Sequence, residues 1–122
     1  MKRLFSSFGY ALNGLRLVFS SEPNMRIHSG FAVLIILFGF IFDIRSWEWC
    51  VILLCIMIVS ALEVLNTVVE KYLDFYHPEH SENVKVLKDM SAAAVLWSAL
   101  ISVIIGLLIF LPKIIQLWVT KL

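Results

Sequence analysis

The chain has 122 residues, of which 61% are hydrophobic and 16% charged, and its mean hydropathy is +0.91. A soluble domain carries about 45–50% apolar and about 25% charged residues, and a domain this small has too much surface for its volume to hide the excess. This excludes a soluble enzyme, a disulfide scaffold and a disordered segment, and leaves a single domain, residues 1–122, facing lipid. Ten Lys and Arg against nine Asp and Glu give a net charge of +1, which offers nucleic acid no basic surface. Cys50 and Cys55 lie in an apolar run. On a helix they stand about 7.5 Å and about 140° apart, which rules out a disulfide, so they read as small hydrophobes.

The first predicted element is an amphipathic surface helix over about residues 3–21. Leu4, Phe5, Phe8, Leu12, Leu15 and Phe19 fall within about 100° of helical arc, while Arg3, Tyr10, Asn13 and Arg16 lie off that face. Leu17 interrupts the pattern, and Ser20-Ser21-Glu22-Pro23 ends it. Three charge-free stretches follow, Gly30–Phe42, Trp49–Leu62 and Met90–Pro112. Extended by their neighbours, they predict transmembrane helices over about 27–44, 48–70 and 89–111. The expected fold is therefore an all-α membrane protein, with one surface helix and three spans.

With the N-terminus inside, the inner side carries Lys2, Arg3, Arg16, Arg26, Lys71, Lys85 and Lys88, and the outer side Arg45, Lys113 and Lys121. That bias places the N-terminus in the cytoplasm and the C-terminus outside, across a cytoplasmic membrane. Trp47 and Trp49 flank the short outer turn Asp43–Glu48, as an aromatic belt requires. The polar loop Tyr76–Asn83 falls on the cytoplasmic side. In the third span Ala94, Ser98, Ser102 and Gly106 recur every four residues, which suits close helix packing within the chain or between chains.

The chemistry is concentrated at the end of the second span. Glu63, Asn66, Glu70 and Asp74 are spaced three, four and four residues apart, and so form one polar stripe about 80° wide on an apolar helix. Carboxylates at membrane depth require cations, a metal or each other. One reading is an interhelical hydrogen-bond seam with Glu70 and Asp74 merely solvated. Another makes Glu63 a general base for an alcohol at the membrane surface. Glu70, with Glu22, would then hold a hard dication such as Mg²⁺, which takes one or two carboxylates plus phosphates. Arg26, His28, Lys88 and Asp89 lie at the same cytoplasmic boundary. Soluble nucleotide motifs are absent: Gly9-Tyr-Ala-Leu-Asn-Gly14 lacks the Lys-Ser/Thr ending of a phosphate loop and sits in a helical pattern.

The run Glu63-x-x-Asn66-Thr67-x-Val69-Glu70 resembles the signature of the small prokaryotic lipid kinases, the diacylglycerol and undecaprenol kinase family. Gly14-Leu15-Arg16, Glu22-x-x-x-Arg26, Asp74 and Lys88-Asp89 leading into Ala92-Ala93-Ala94 match in the same order, over roughly residues 3–112. Asn24–His28 and Pro78-Glu79-His80 look closer to the undecaprenol kinase branch, and His28 replaces an acidic residue of the diacylglycerol branch. The resemblance implies a homotrimer with shared sites, transferring the γ-phosphoryl group of ATP to a membrane lipid alcohol. Undecaprenol is the expected acceptor and diacylglycerol the alternative. It further implies Glu63 as catalytic base with Asn66 beside it, and Glu22 and Glu70 as ligands of Mg²⁺. Arg3, Tyr10, Glu22, Glu70, Glu79, Lys88 and Asp89 would meet ATP, and Glu63, Arg16 and Ala92 the lipid. His80 and Ser81 depart from the diacylglycerol kinase pattern, which leaves the adenine side unassigned.

Two other classes remain. A small membrane transporter could use Glu63 as an ion site, but Glu22, Glu70, Lys88 and Asp89 would be surplus. A non-catalytic assembly protein would use only the small-residue stripe.

Overall fold

The computed structural model describes residues 1–122 as four helices: α1 (Lys2–Ser21), α2 (Pro23–Ile41), α3 (Ser46–Tyr76) and α4 (Glu82–Lys121). There is no strand. The last three are long and apolar enough to cross a membrane.

Local sequence explains each break. Glu22 is extended (φ −112°, ψ 108°), as a residue before proline tends to be, and its N–H closes α1 on the Val18 carbonyl. Pro23 then starts α2, where its missing N–H costs nothing. At the far end of α2, Asp43 adopts φ 46°. Its N–H donates to the Phe40 carbonyl, and the Ile44 N–H reaches back to Gly39. This is a Schellman closure with aspartate in the left-handed position that glycine usually fills. The Arg45 N–H donates to Glu48 Oε2 at 2.8 Å, capping α3. Ser81 caps α4 by accepting the Val84 N–H at 3.2 Å.

α3 is the central element. It packs on α4, on α2 and on α1, while α2 and α4 stand further apart and touch through side chains such as Phe38 and Phe110. The tightest packing lies at the α2–α3 turn, where Ile44, Ile52, Ile109 and Phe110 form the buried core. Phe38, Phe42 and Phe110 meet edge-on there, with ring centroids 6.0–6.2 Å apart. Gly39 lets the Trp49 ring lie against the α2 backbone, since a Cβ would stand 2.5 Å from it. A second polar pair closes this end. Glu48 is buried and Lys113 Nζ stands 3.2 Å from its Oε2, linking the start of α3 to the last part of α4.

α4 continues through Pro112 to Lys121, beyond the apolar stretch that the sequence marks. A proline inside a membrane helix is tolerated where neighbours compensate the freed carbonyl, and the residues after it remain apolar. In the stripe Ala94, Ser98, Ser102 and Gly106, Ala94 is exposed, Ser98 and Ser102 are half-buried, and the space beside Gly106 is open. Only 14 of 122 residues are buried, so most of the apolar surface needs lipid or other copies to cover it. Phe5, Phe8 and Leu12 on α1 belong to that surface.

Candidate functional site

The first half of the α3 stripe, Glu63 and Asn66, points into the chain, and the stripe becomes exposed toward Asp74. Glu63 and Thr67 are each 2% exposed, and Asn66 is buried beside them. Thr67 Oγ1 donates to the Glu63 carbonyl at 2.9 Å, which spends its hydroxyl on the helix's own backbone. Asn66 is tied to α4, with Ser91 Oγ donating to its Oδ1 at 2.6 Å. Ser91 Oγ also lies 3.0 Å from the Lys88 carbonyl, so one hydroxyl links the stripe to the first turns of α4.

Glu63 is the unusual member. Its Oε2 stands 3.8 Å from Nε2 of His28 on α2, and its Oε1 is buried with no hydrogen-bond partner. A carboxylate in such a place costs several kcal/mol unless something binds it. The Glu22 and Glu70 carboxylates lie within electrostatic reach of it. Both are half-buried, Glu22 at the α1–α2 break and Glu70 two turns further along α3.

The remaining candidates are arranged differently. Lys88 pairs with Asp74, bringing α4 to the end of α3. Asp89 turns away to Lys85, 2.7 Å distant on the exposed side of α4. Arg3, Tyr10 and Arg16 on α1, Glu79 in the loop and Ala92 on α4 are exposed. No side-chain hydrogen bond or ion pair joins any of those five to Glu63. Ser91 was not singled out from the sequence, where nothing marks a lone serine 25 residues after Asn66 as its partner. From the sequence His28 reads as a boundary cation and as a departure from the diacylglycerol branch, and its contact with Glu63 is visible only once α2 is laid against α3.

No three His, Cys, Asp or Glu side chains cluster as a ready-made metal cage. A pair of half-buried carboxylates is instead the donor set that Mg²⁺ accepts when phosphates complete its shell.

Comparison with known proteins gives the family. Residues 9–110 match the family described as prokaryotic diacylglycerol kinase. The chain is 39% identical over 113 residues to the undecaprenol kinase of Bacillus subtilis (strain 168), covering 93% of this chain and 92% of that protein. It is 33% identical over 117 residues to the diacylglycerol kinase of Synechocystis sp., covering 95% of this chain and 67% of that protein. A diacylglycerol kinase of Escherichia coli (strain K12) is 28% identical over 102 residues, 84% of either chain. With a match over most of its length, this chain belongs to the prokaryotic diacylglycerol kinase family and is a membrane phosphotransferase with an alcohol acceptor.

Proposed function

We propose that the chain is an ATP- and Mg²⁺-dependent lipid kinase whose acceptor is undecaprenol, giving undecaprenyl phosphate. The observation that carries the reading is the buried Glu63 carboxylate, with one oxygen facing His28 and the other without a partner. Such a group is suited to accept the proton of a lipid hydroxyl as that oxygen attacks phosphorus. Undecaprenol is favoured over diacylglycerol by the higher identity to the Bacillus subtilis enzyme and by His28 in place of an acid.

Phosphoryl transfer depends on positioning and charge neutralisation more than on covalent help. Glu22 and Glu70 would hold Mg²⁺, which when bound offsets the phosphate charge. Lys88 would do the same as a point charge, with Asp74 holding its ammonium in place. Asn66, fixed by Ser91, would orient the reacting groups. Arg3 and Tyr10 on α1, Glu79 in the loop, and Asp89 would complete the nucleotide side. Arg16 and Ala92 would border the lipid.

In this reading α1 lies on the cytoplasmic membrane surface with Phe5, Phe8 and Leu12 toward lipid, and the C-terminus is extracytoplasmic. The exposure of Arg3, Tyr10, Arg16 and Glu79 in the single chain is consistent with a homotrimer in which neighbours complete each site. The deciding experiment compares phosphorylation of undecaprenol and diacylglycerol by the purified protein with Mg·ATP. We expect undecaprenol to have the higher kcat/KM. Dominant diacylglycerol turnover would reassign the acceptor and leave the kinase chemistry standing.

A further inference from the structure

α4 is the longest element, with 40 residues, about 60 Å at 1.5 Å per residue. α2 has 19 residues, about 28 Å, close to the hydrocarbon thickness of a bilayer. The two helices end differently beside the α2–α3 turn. α2 stops at Ile41, whereas α4 passes the core of Ile44, Ile52, Ile109 and Phe110 and is fixed to α3 where Lys113 meets Glu48. From Ile115 onward every residue is exposed. This stretch also lies past residue 110, where the family match ends.

The exposed tail is two-sided. Ile115, Trp118, Val119 and Leu122 share about 100° of helical arc, and Lys113, Gln116, Thr120 and Lys121 occupy the opposite side, which Leu117 shares. The apolar row continues the outward row of the span, Ile104, Leu108 and Leu111, which is exposed along its whole length. The polar row continues the inward row of Ile105 and Ile109, and turns polar at Lys113, where α3 begins and α2 has ended. A helix leaving the membrane for water would become polar on both sides. Here only the inward side changes, which is the pattern of a helix lying in the interface with one face on lipid and the other on water.

The length agrees. Lys88 and Lys121 are 33 positions apart, about 50 Å along the axis. A bilayer with its headgroups is about 40–45 Å thick, and spanning helices tilt by up to about 40°. At a tilt of about 30° the axis from Lys88 to Lys121 covers about 43 Å of depth. Lys88 then stands in one headgroup layer, and Trp118 and Lys121 in the other. Tryptophan and lysine are side chains that this layer favours, the one for its ring and the other for a stem that carries its charge to water.

We propose that residues 115–122 form an interfacial anchor that docks on the phospholipid headgroup layer beside the α2–α3 turn. Ile115, Trp118, Val119 and Leu122 are embedded in that layer, and Lys121 lies among its phosphates. The inference does not depend on the lipid-kinase reading, and its test uses neither ATP nor an acceptor. The purified protein and Trp118→Phe are reconstituted in vesicles of phosphatidylcholine and phosphatidylglycerol, and the difference between their emissions isolates the Trp118 ring. We expect a nitroxide near the lipid glycerol to quench that ring about twofold or more better than a nitroxide at the chain end. Dissolved acrylamide should quench it about twofold or more less than free tryptophan.

Ile115→Glu, on the embedded face, should raise acrylamide quenching of Trp118 about twofold. Gln116→Glu, one residue on but turned to water, should leave it unaltered. Each is measured against its own Trp118→Phe partner, and melting temperatures verify that all of them fold. Acrylamide quenching as strong as that of free tryptophan would put the tail in water. Stronger quenching from the chain end would make it a continuation of the span, and shielding from all three quenchers would assign its apolar face to a second copy. Any of these results overturns the anchor, as does an equal response to the two glutamates.

Discussion

Ser91 Oγ donates a hydrogen bond to Asn66 Oδ1 at 2.6 Å, joining α4 to the polar stripe of α3. Removing the hydroxyl leaves a buried amide oxygen without its donor, which costs about 1–3 kcal/mol. Ser91→Ala should therefore lower the melting temperature in detergent and reduce kcat, because Asn66 loses its orientation. Full activity with unchanged melting would show that the bond organises nothing.

Lys88 and Asp74 should behave in the opposite way. Asp74 is well exposed, and an exposed ion pair contributes only about 0–1 kcal/mol. Lys88→Met is expected to melt close to the unmodified protein yet lose most of its phosphotransfer, since its charge is assigned to phosphate. A large fall in melting temperature with kinetics preserved would make the pair structural.

At the other end of the bundle, Glu48 and Lys113 form a pair whose carboxylate is almost wholly buried. Breaking such a pair from one side leaves an uncompensated charge, at a cost of up to about 3–5 kcal/mol. The partial exposure of Lys113 reduces this to about 1–3 kcal/mol by water reaching the ammonium. Lys113→Met should destabilise, and Glu48→Gln added to it should restore part of the loss because the charge is gone. A double variant less stable than Lys113→Met would refute the charge argument.

Backbone conformation supplies a prediction of gain. Asp43 sits at φ 46°, where an L side chain is strained and glycine is not. Asp43→Gly should raise stability by about 0.5–1 kcal/mol. Gly39→Ala should lower it, since the new methyl would stand 2.5 Å from the Trp49 ring. Overpacking of that kind costs about 1–3 kcal/mol. Thermal unfolding of both variants, compared with the unmodified protein, checks the two signs together.

Periodicity and charge scarcity made the four helices and the Glu63–Asp74 stripe legible, because a helix fixes which residues three and four apart share a face. The pairings across helices were not legible. Glu48 and Lys113 are 65 positions apart in the chain, and Pro112 disguises the continuation of α4 that brings them together. Lys88-Asp89 reads as one unit in sequence, yet adjacent residues on a helix point about 100° apart. The two therefore take different partners, Asp74 and Lys85. The small-residue stripe of α4 has the spacing of a helix contact, but the space beside Gly106 is open, and spacing alone does not name the neighbour.

The central claim is that Glu63 is the base of a lipid kinase. It is tested most directly by following transfer of the γ-phosphoryl group from Mg·ATP to undecaprenol by the unmodified protein and by Glu63→Gln, with folding of both verified. Glu63→Gln keeps the shape and removes the proton acceptor, so kcat should fall by about two to four orders of magnitude with the KM for ATP little altered. Equal turnover by the two proteins would contradict the account.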